Sequence, residues 1–421
     1  PMSPLTDNRP QKVLNKSAVS WASYDFANTI FSMNVVSLYF ALWVVNDLGG
    51  TDLMVALARS AAMLLIAITM PLLGSISDII GRRKWFIFLF TLMCGLATAL
   101  LGSAFSLTVY LVLFGVAVYG FQAALVFYNA LLPDVSPKNK EGKVSGLGVA
   151  FGYIGSIAGM LMVRPFVGSE GSFSRQNAFI PTALLFLVFS LPLFIFTKER
   201  RKPPVHELPR IKELFITPYR VFKQSSTLPD VRRFLIARFF IVEAMETIIA
   251  FMAVYLVMVG GFNQKRVIAA GMDEVMLFLV SATVFAVIGS FIWGVMADKL
   301  GPGRSLKICS FLWVITLALA TFNFYQPLFW VVGPLAGIGL GGVWTTDRHY
   351  LLKVVPKERR AEFFGLYAVS GRLAAVIGPI VWGLAVAAGK PYGDIKYRIA
   401  VGAVFIMMLI GFLLVRKLPE V

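Results

Sequence analysis

The chain has 421 residues, 58% hydrophobic and 14% charged, where a soluble domain carries about a quarter charged residues. A mean hydropathy of +0.77 leaves more apolar surface than a water-facing globule can hide, so a lipid bilayer is the solvent that suits it. The formal charge of +17 invites a nucleic-acid reading, but Lys and Arg fall in short clusters between apolar runs. That is the pattern of membrane loops, and no nucleic-acid partner is expected.

Twelve apolar runs follow in chain order, at about 17–45, 54–79, 85–103, 106–132, 144–167, 176–197, 233–260, 274–297, 305–323, 327–352, 362–388 and 397–415. Each is long enough to cross a bilayer as a helix. The first 16 residues are polar, so no cleavable signal peptide is expected. Six runs precede a long segment rich in Lys, Arg and Pro, and six follow it. The expected organisation is a six-helix bundle over 1–197, a cytoplasmic linker over 198–232 and a second six-helix bundle over 233–421. Within the linker, residues 208–215 read either as a short amphipathic surface helix or as a solvated tether. With both termini in the cytoplasm, roughly 28 of the 39 basic residues fall inside, as the positive-inside rule asks.

The two halves repeat. Gly74, Asp78, Gly81, Arg82, Arg83 and Lys84 follow the second run, and Gly294, Asp298, Gly301 and Arg304 follow the eighth. Pro137, Gly146, Gly152 and Gly159 recur in the same order and spacing as Pro356, Gly365, Gly371 and Gly378. Asp25, Asn28, Thr29 and Ile30 recur as Glu243, Glu246, Thr247 and Ile248. The displacement between partners is nearly the same in all three sets, which implies two parallel halves related by an axis along the membrane normal.

The Gly-x-x-x-Asp-x-x-Gly-Arg-Arg-Lys segment resembles the signature loop of the major facilitator superfamily. Its glycines allow close helix approach, its Asp can cap a helix or pair with Arg, and its basic run holds the loop inside. Gly74, Asp78, Gly81, Arg82 and Arg83, with Asp298 and Arg304, are therefore the candidate conformational latch. Trp21 to Asn28, Tyr128 to Asp134 with Val144 to Gly148, and Glu362 to Tyr367 with Ser370 and Gly371 resemble the vacuole-effluxer-like family within that superfamily. The resemblance implies an all-α membrane protein of twelve helices and a substrate of the amino-acid class, as its fungal members are linked to vacuolar amino-acid efflux. It also implies that spans one, four, seven and ten line a central cavity. The chain departs from the family pattern at Glu243-Ala244, where an Asp-Gly pair is usual, and at Asp347-Arg348-His349, where a Ser-Arg-rich stretch is.

A charge near the bilayer centre costs about 2.5–3.5 kcal/mol even on a lenient scale, so it needs a partner or a task. Asp25 lies roughly 12 Å into span one, and Glu243 and Glu246 lie about 15 and 20 Å into span seven. Together with Asp347 they are the candidate proton or cation site, since a carboxylate desolvated in a protein interior titrates nearer neutrality. The alternative is a structural ion pair, for example of Asp347 or Glu243 with Arg348 or Arg372. Asn28, Tyr128, Asn129, Glu246, Arg348 and Arg372 are the candidate substrate contacts, with interhelical hydrogen bonding the plainer role for Tyr128 and Asn129. His349 reads as a hydrogen-bonded histidine rather than a proton relay.

No Gly-x-x-x-x-Gly-Lys-Ser/Thr loop occurs, and two histidines with the isolated Cys94 and Cys309 supply neither a nucleophile–base pair nor a metal site. No enzyme activity, cofactor or metal is expected. The expected function is secondary active transport of a small solute, an amino acid or related molecule, by alternating access with proton coupling. An inorganic cation, an organic anion, a passive uniporter and a non-transporting sensor remain open as alternatives. The expected setting is a monomer in the bacterial inner membrane, with the solute and protons or cations as partners.

Overall fold

The computed structural model describes residues 15–80, 82–103, 105–137, 141–168, 174–197, 199, 223, 228–269, 271–355 and 360–420. Among the described residues, twelve long helices account for the twelve apolar runs. They are α1 (Lys16–Asp47), α2 (Asp52–Ile80), α3 (Arg83–Leu100), α4 (Leu107–Ala130), α5 (Glu141–Val167) and α6 (Arg175–Phe196). The remaining six are α7 (Pro229–Met258), α8 (Glu274–Leu300), α9 (Pro302–Phe322), α10 (Gln326–Val354), α11 (Arg360–Ala388) and α12 (Ile395–Arg416). The surface helix considered for residues 208–215 lies outside the described residues.

Local chemistry sets several helix starts. The Asn15 side chain accepts from the Ala18 N–H at 2.8 Å and caps α1. Asp273 caps α8 in the same way, accepting from Met276 at 3.0 Å. Pro229 and Pro302 open α7 and α9, where the missing N–H would have had no helical partner anyway. Gly301, with φ of +84°, makes the turn between α8 and α9 that a side chain would resist.

Helix α1 is not uniform. Lys16–Phe31 is α-helical, and Ser32–Tyr39 and Trp43–Asp47 widen into π-helix. Such widening is uncommon and tends to mark functional stretches.

Consecutive spans alternate in direction, so one end of the bundle carries both termini and the other is the far end. Helix α1 packs on α5 and α6, α3 on α4, α8 on α10, α7 on α12, and α2 on α11. The α1–α5 approach depends on Gly155, where a methyl group would run into the Phe26 backbone. Aromatic stacking fastens other pairs: Phe40 on Phe114 at 3.9 Å, and Phe251 on Trp382 at 5.1 Å. The outer faces stay apolar, with Phe291, Ile195, Trp85 and Val112 exposed, as lipid contact requires. Cys94 and Cys309 are both buried and unbridged.

Candidate functional site

A cavity of about 360 Å³ lies between α1 and α5 on one side and α7, α8 and α10 on the other, with Trp313 of α9 reaching in. Helix α4, expected at the cavity, contributes none of its described wall, and α5 and α8 stand there instead. Tyr128 of α4 is packed behind it. Its ring stacks on Trp21 at 4.3 Å, its carbonyl accepts from the Trp21 indole N–H at 3.1 Å, and its hydroxyl lies near the Asp25 carboxyl. Asn129 is exposed at the α4 end.

Asp25 lines the cavity and is half-buried. Its Oδ2 lies so close to Gly148 of α5 that a methyl there would come within 3.0 Å. Among the described residues no Lys or Arg forms an ion pair with it. Asn28, one turn on, is 2% exposed, and neither amide atom finds a hydrogen-bond partner among the described residues.

Glu243 and Glu246 share one face of α7, as their spacing of three predicts, yet their surroundings differ. Glu246 pairs with Arg59 of α2 at 2.8 Å, and the same guanidinium donates to the Glu246 carbonyl at 3.1 Å. Glu243 is fully buried; one carboxyl oxygen accepts from the Gly378 N–H of α11, and no described donor reaches the other. The alternative ion pair of Glu243 with Arg348 or Arg372 is not formed by Arg348, and the Arg372 side chain lies outside what is described.

Asp347 of α10 is 1% exposed and pairs with Arg238 of α7 at 3.0 Å, a cation the sequence did not single out, and it forms no ion pair with the described Arg348. Arg348, next to Asp347 along the helix, is exposed and lies against Tyr367, where its charge is felt by Asp347 without an ion pair between them. Tyr367 of α11 completes the cluster. It donates to Asp347 at 2.6 Å, and the Arg238 guanidinium lies 3.5 Å over its ring. His349 is exposed, and its Nδ1 lies 2.8 Å from the Thr345 carbonyl, which makes Nδ1 the donor.

Sequence reasoning singled out the acids and passed over Arg59 and Arg238. Both sit inside apolar runs, so the rule that flagged the carboxylates applies to them equally. It also passed over a polar network at the far end. There Arg164 of α5 pairs with Asp273 at 3.3 Å, and Arg175 pairs with Asp47 at 2.6 Å and donates to Gln264 at 2.9 Å. Further ties join the same end: Ser60 donates to the Val376 carbonyl at 2.6 Å, and Asp52 accepts from Trp382 and Tyr397 at 3.2 Å each. Among the described residues, the links of Arg164, Arg175, Ser60 and Asp52 to Asp273, Gln264 and the later helices gather in the half of the bundle away from the termini.

The candidate latch residues lie at the opposite end. Arg83 donates to the Ala130 carbonyl at 2.8 Å and lies 3.8 Å from Asp134, tying α3 to the end of α4. Arg82 and Asp298 are exposed, and Arg304 pairs with Glu420 at 2.5 Å. Gly74 and Asp78 fall in α2 with the Asp78 side chain undescribed, and Gly81 is outside the described residues.

The family model described as vacuole effluxer Atg22-like matches residues 50–142 and 135–419. The chain is 29% identical to the MFS-type transporter YxiO of Bacillus subtilis, over 97% of this chain and 96% of that one. It is 23% identical to autophagy-related protein 22-2 of Aspergillus clavatus, over 63% of this chain and 46% of that one. Among solved structures, the fold is similar to the nucleoside transporter NupG (TM-score 0.72, 14% identity, 96% and 100% covered). It is also similar to an inward-facing bacterial homologue of the human lysosomal transporter Spinster (TM-score 0.71, 15% identity, 96% and 97% covered).

Proposed function

We propose that this chain, which belongs to the vacuole effluxer Atg22-like family of major facilitator-type transporters, carries a small solute by proton-coupled alternating access. It is a multi-pass membrane transporter rather than an enzyme. In this reading it is a monomer of the bacterial inner membrane made of two six-helix bundles, over 1–197 and 233–421. Its terminal end faces the cytoplasm, and the ties gathered at the far end close the outer side.

The observation that carries the reading is the pair of acids on α7. Glu246 is held by Arg59 across the α2–α7 contact, while Glu243, three residues away, is sealed against α11 with one oxygen that meets no described donor. A bare charge there is costly, and a proton on Glu243 removes it. Transfer of that proton toward Glu246 neutralises it and releases Arg59, and α2 then loses its hold on α7. Opening of the outer side is thereby tied to the position of one proton. Asp25 holds the solute, with Asn28 beside it. Asp347, locked to Arg238 and Tyr367, sets the geometry of α7, α10 and α11. The terminal-end residues Arg83, Asp298 and Arg304 form the closing contacts of the other state.

Proton movement across proteoliposomes tests the reading, with a pH-sensitive dye inside and a panel of amino acids, amines and organic acids outside. The wild-type chain should move protons with one member of the panel, and Glu243→Gln should exchange the solute without moving protons. Solute exchange with no proton movement in the wild type would remove the coupling. Absence of exchange across the panel would remove the transport assignment to these substrate classes.

A further inference from the structure

The cavity at Asp25 presents one carboxylate, several hydroxyls and no described cation. Its one described charged side chain is the Asp25 carboxylate. Three lining hydroxyls have already given their protons to backbone carbonyls: Thr29 to Gly152 at 2.7 Å, Ser156 to Tyr153 at 2.8 Å and Thr283 to Leu279 at 2.8 Å. What they turn toward the cavity is lone pairs. The Tyr153 hydroxyl is engaged with Ser290 of α8, and Ser32 and Ser37 add two further hydroxyls to the wall. The indole N–H of Trp313, a donor without a described partner, is itself buried and lies against Gly339 rather than opening into the space. The remaining wall is mostly apolar and aromatic, with Met33, Ile248, Met252, Phe278 and Leu340 contributing. The volume sits toward the small end of ligand pockets, which run about 300–1,000 Å³.

A lone carboxylate among hydroxyls, three of which present lone pairs, backed by rings and thioethers, matches one kind of solute. A protonated amine donates up to three hydrogen bonds, neutralises Asp25 and is attracted to aromatic faces. A carboxylate brought into the same space meets no described basic side chain and faces the like charge of Asp25. Resting on the assignment of this cavity as the transport site, we propose that it takes a solute bearing one protonated amine on an apolar body and rejects the zwitterion that carries a carboxylate as well. The specificity would then depart from the amino-acid class that the family resemblance implies.

Three molecules that share a ring and differ only in charge decide the matter: 2-phenylethylamine, L-phenylalanine and 3-phenylpropionate, with hexylamine as a ring-free amine. With the purified chain in detergent, the two amines should raise the melting temperature by mass action, and the other two should not. Asp25→Asn should weaken amine binding by about thirtyfold or more, as loss of one partner from a desolvated charge pair does. Asp25→Glu should retain it. The unliganded melting temperature of each variant reports whether it has folded. The proposal is overturned if L-phenylalanine stabilises as well as the amine, if Asp25→Asn binds the amine unchanged, or if neither amine shifts the wild type. Counterflow in proteoliposomes separates the two levels. Exchange of phenylalanine but not of the amine overturns the proposal and leaves transport standing. Asp25-dependent amine binding with no exchange supports the proposed ligand class and removes transport.

Discussion

Asp25 and Glu243 stand at matching positions of the sequence repeat, yet one opens onto the cavity and the other is sealed. The difference lies in what surrounds them at equivalent positions. Where the first half has Ser20, Tyr128 and Gly148, the second has Arg238, Asp347 and Tyr367. In the first half Gly148 leaves room beside the Asp25 carboxylate, and Tyr128 is stacked on Trp21. In the second half the corresponding ground is filled by a buried ion pair with a tyrosine donating into it. Duplication thus fixes where an acid stands along a helix, and tertiary packing, Gly148 beside Asp25 but the Gly378 backbone against Glu243, decides whether it meets a solute or stays within the protein.

If that contrast is right, the second half should suffer most from loss of a charge. Arg238→Ala leaves Asp347 buried without its cation, which costs about 3–5 kcal/mol and should lower the melting temperature sharply. Adding Asp347→Asn should recover part of the loss, because the orphaned charge then disappears. No recovery would mean that Arg238 matters through its packing on Tyr367 rather than through charge.

The junction between the halves comes next. Burial pushes Asp273, at the mouth of α8, up to about 6, with the Met276 N–H and Arg164 only partly opposing it. A carboxyl held above its ordinary value stabilises the fold in its protonated form. Its contribution is complete below about pH 4 and is lost as pH rises through about 6, a change on the order of 3 kcal/mol. Melting temperatures of the wild type against Asp273→Asn from pH 4.5 to 7.5 should therefore diverge, with the wild type losing ground at the higher values. Parallel curves would show that the far-end tie is insensitive to this proton.

Thr29→Val removes the hydroxyl that bonds Gly152 across α1–α5 and should cost about 0.5–1.5 kcal/mol in thermal unfolding. The smallest effect belongs to Asp25→Asn, which removes a charge without a described cation partner. It should change stability by no more than about 0.5 kcal/mol. A loss as large as that of Arg238→Ala would break the comparison, because it would make Asp25 a structural residue like its second-half neighbours.

Composition and the spacing of apolar runs determine the twelve helices, since a bilayer admits little else for so hydrophobic a chain. The correspondence of Gly74 with Gly294, and of Asp25 with Glu243, was legible without coordinates because it depends only on order along the chain. Glu243 and Glu246 could be placed on one helix face by the same reasoning. Their partners could not. Arg59 of α2 reaches Glu246 of α7, and Arg238 of α7 reaches Asp347 of α10, each across a long stretch of intervening chain. Nothing local distinguishes those pairings from Arg348 beside Asp347. The choice rests on how α2 lies against α7 and how α7 lies against α10, a matter of helix packing in three dimensions. The acceptor character of the Asp25 cavity is likewise tertiary. Thr29, Ser156 and Thr283 are donors or acceptors until the fold decides where each hydroxyl proton goes.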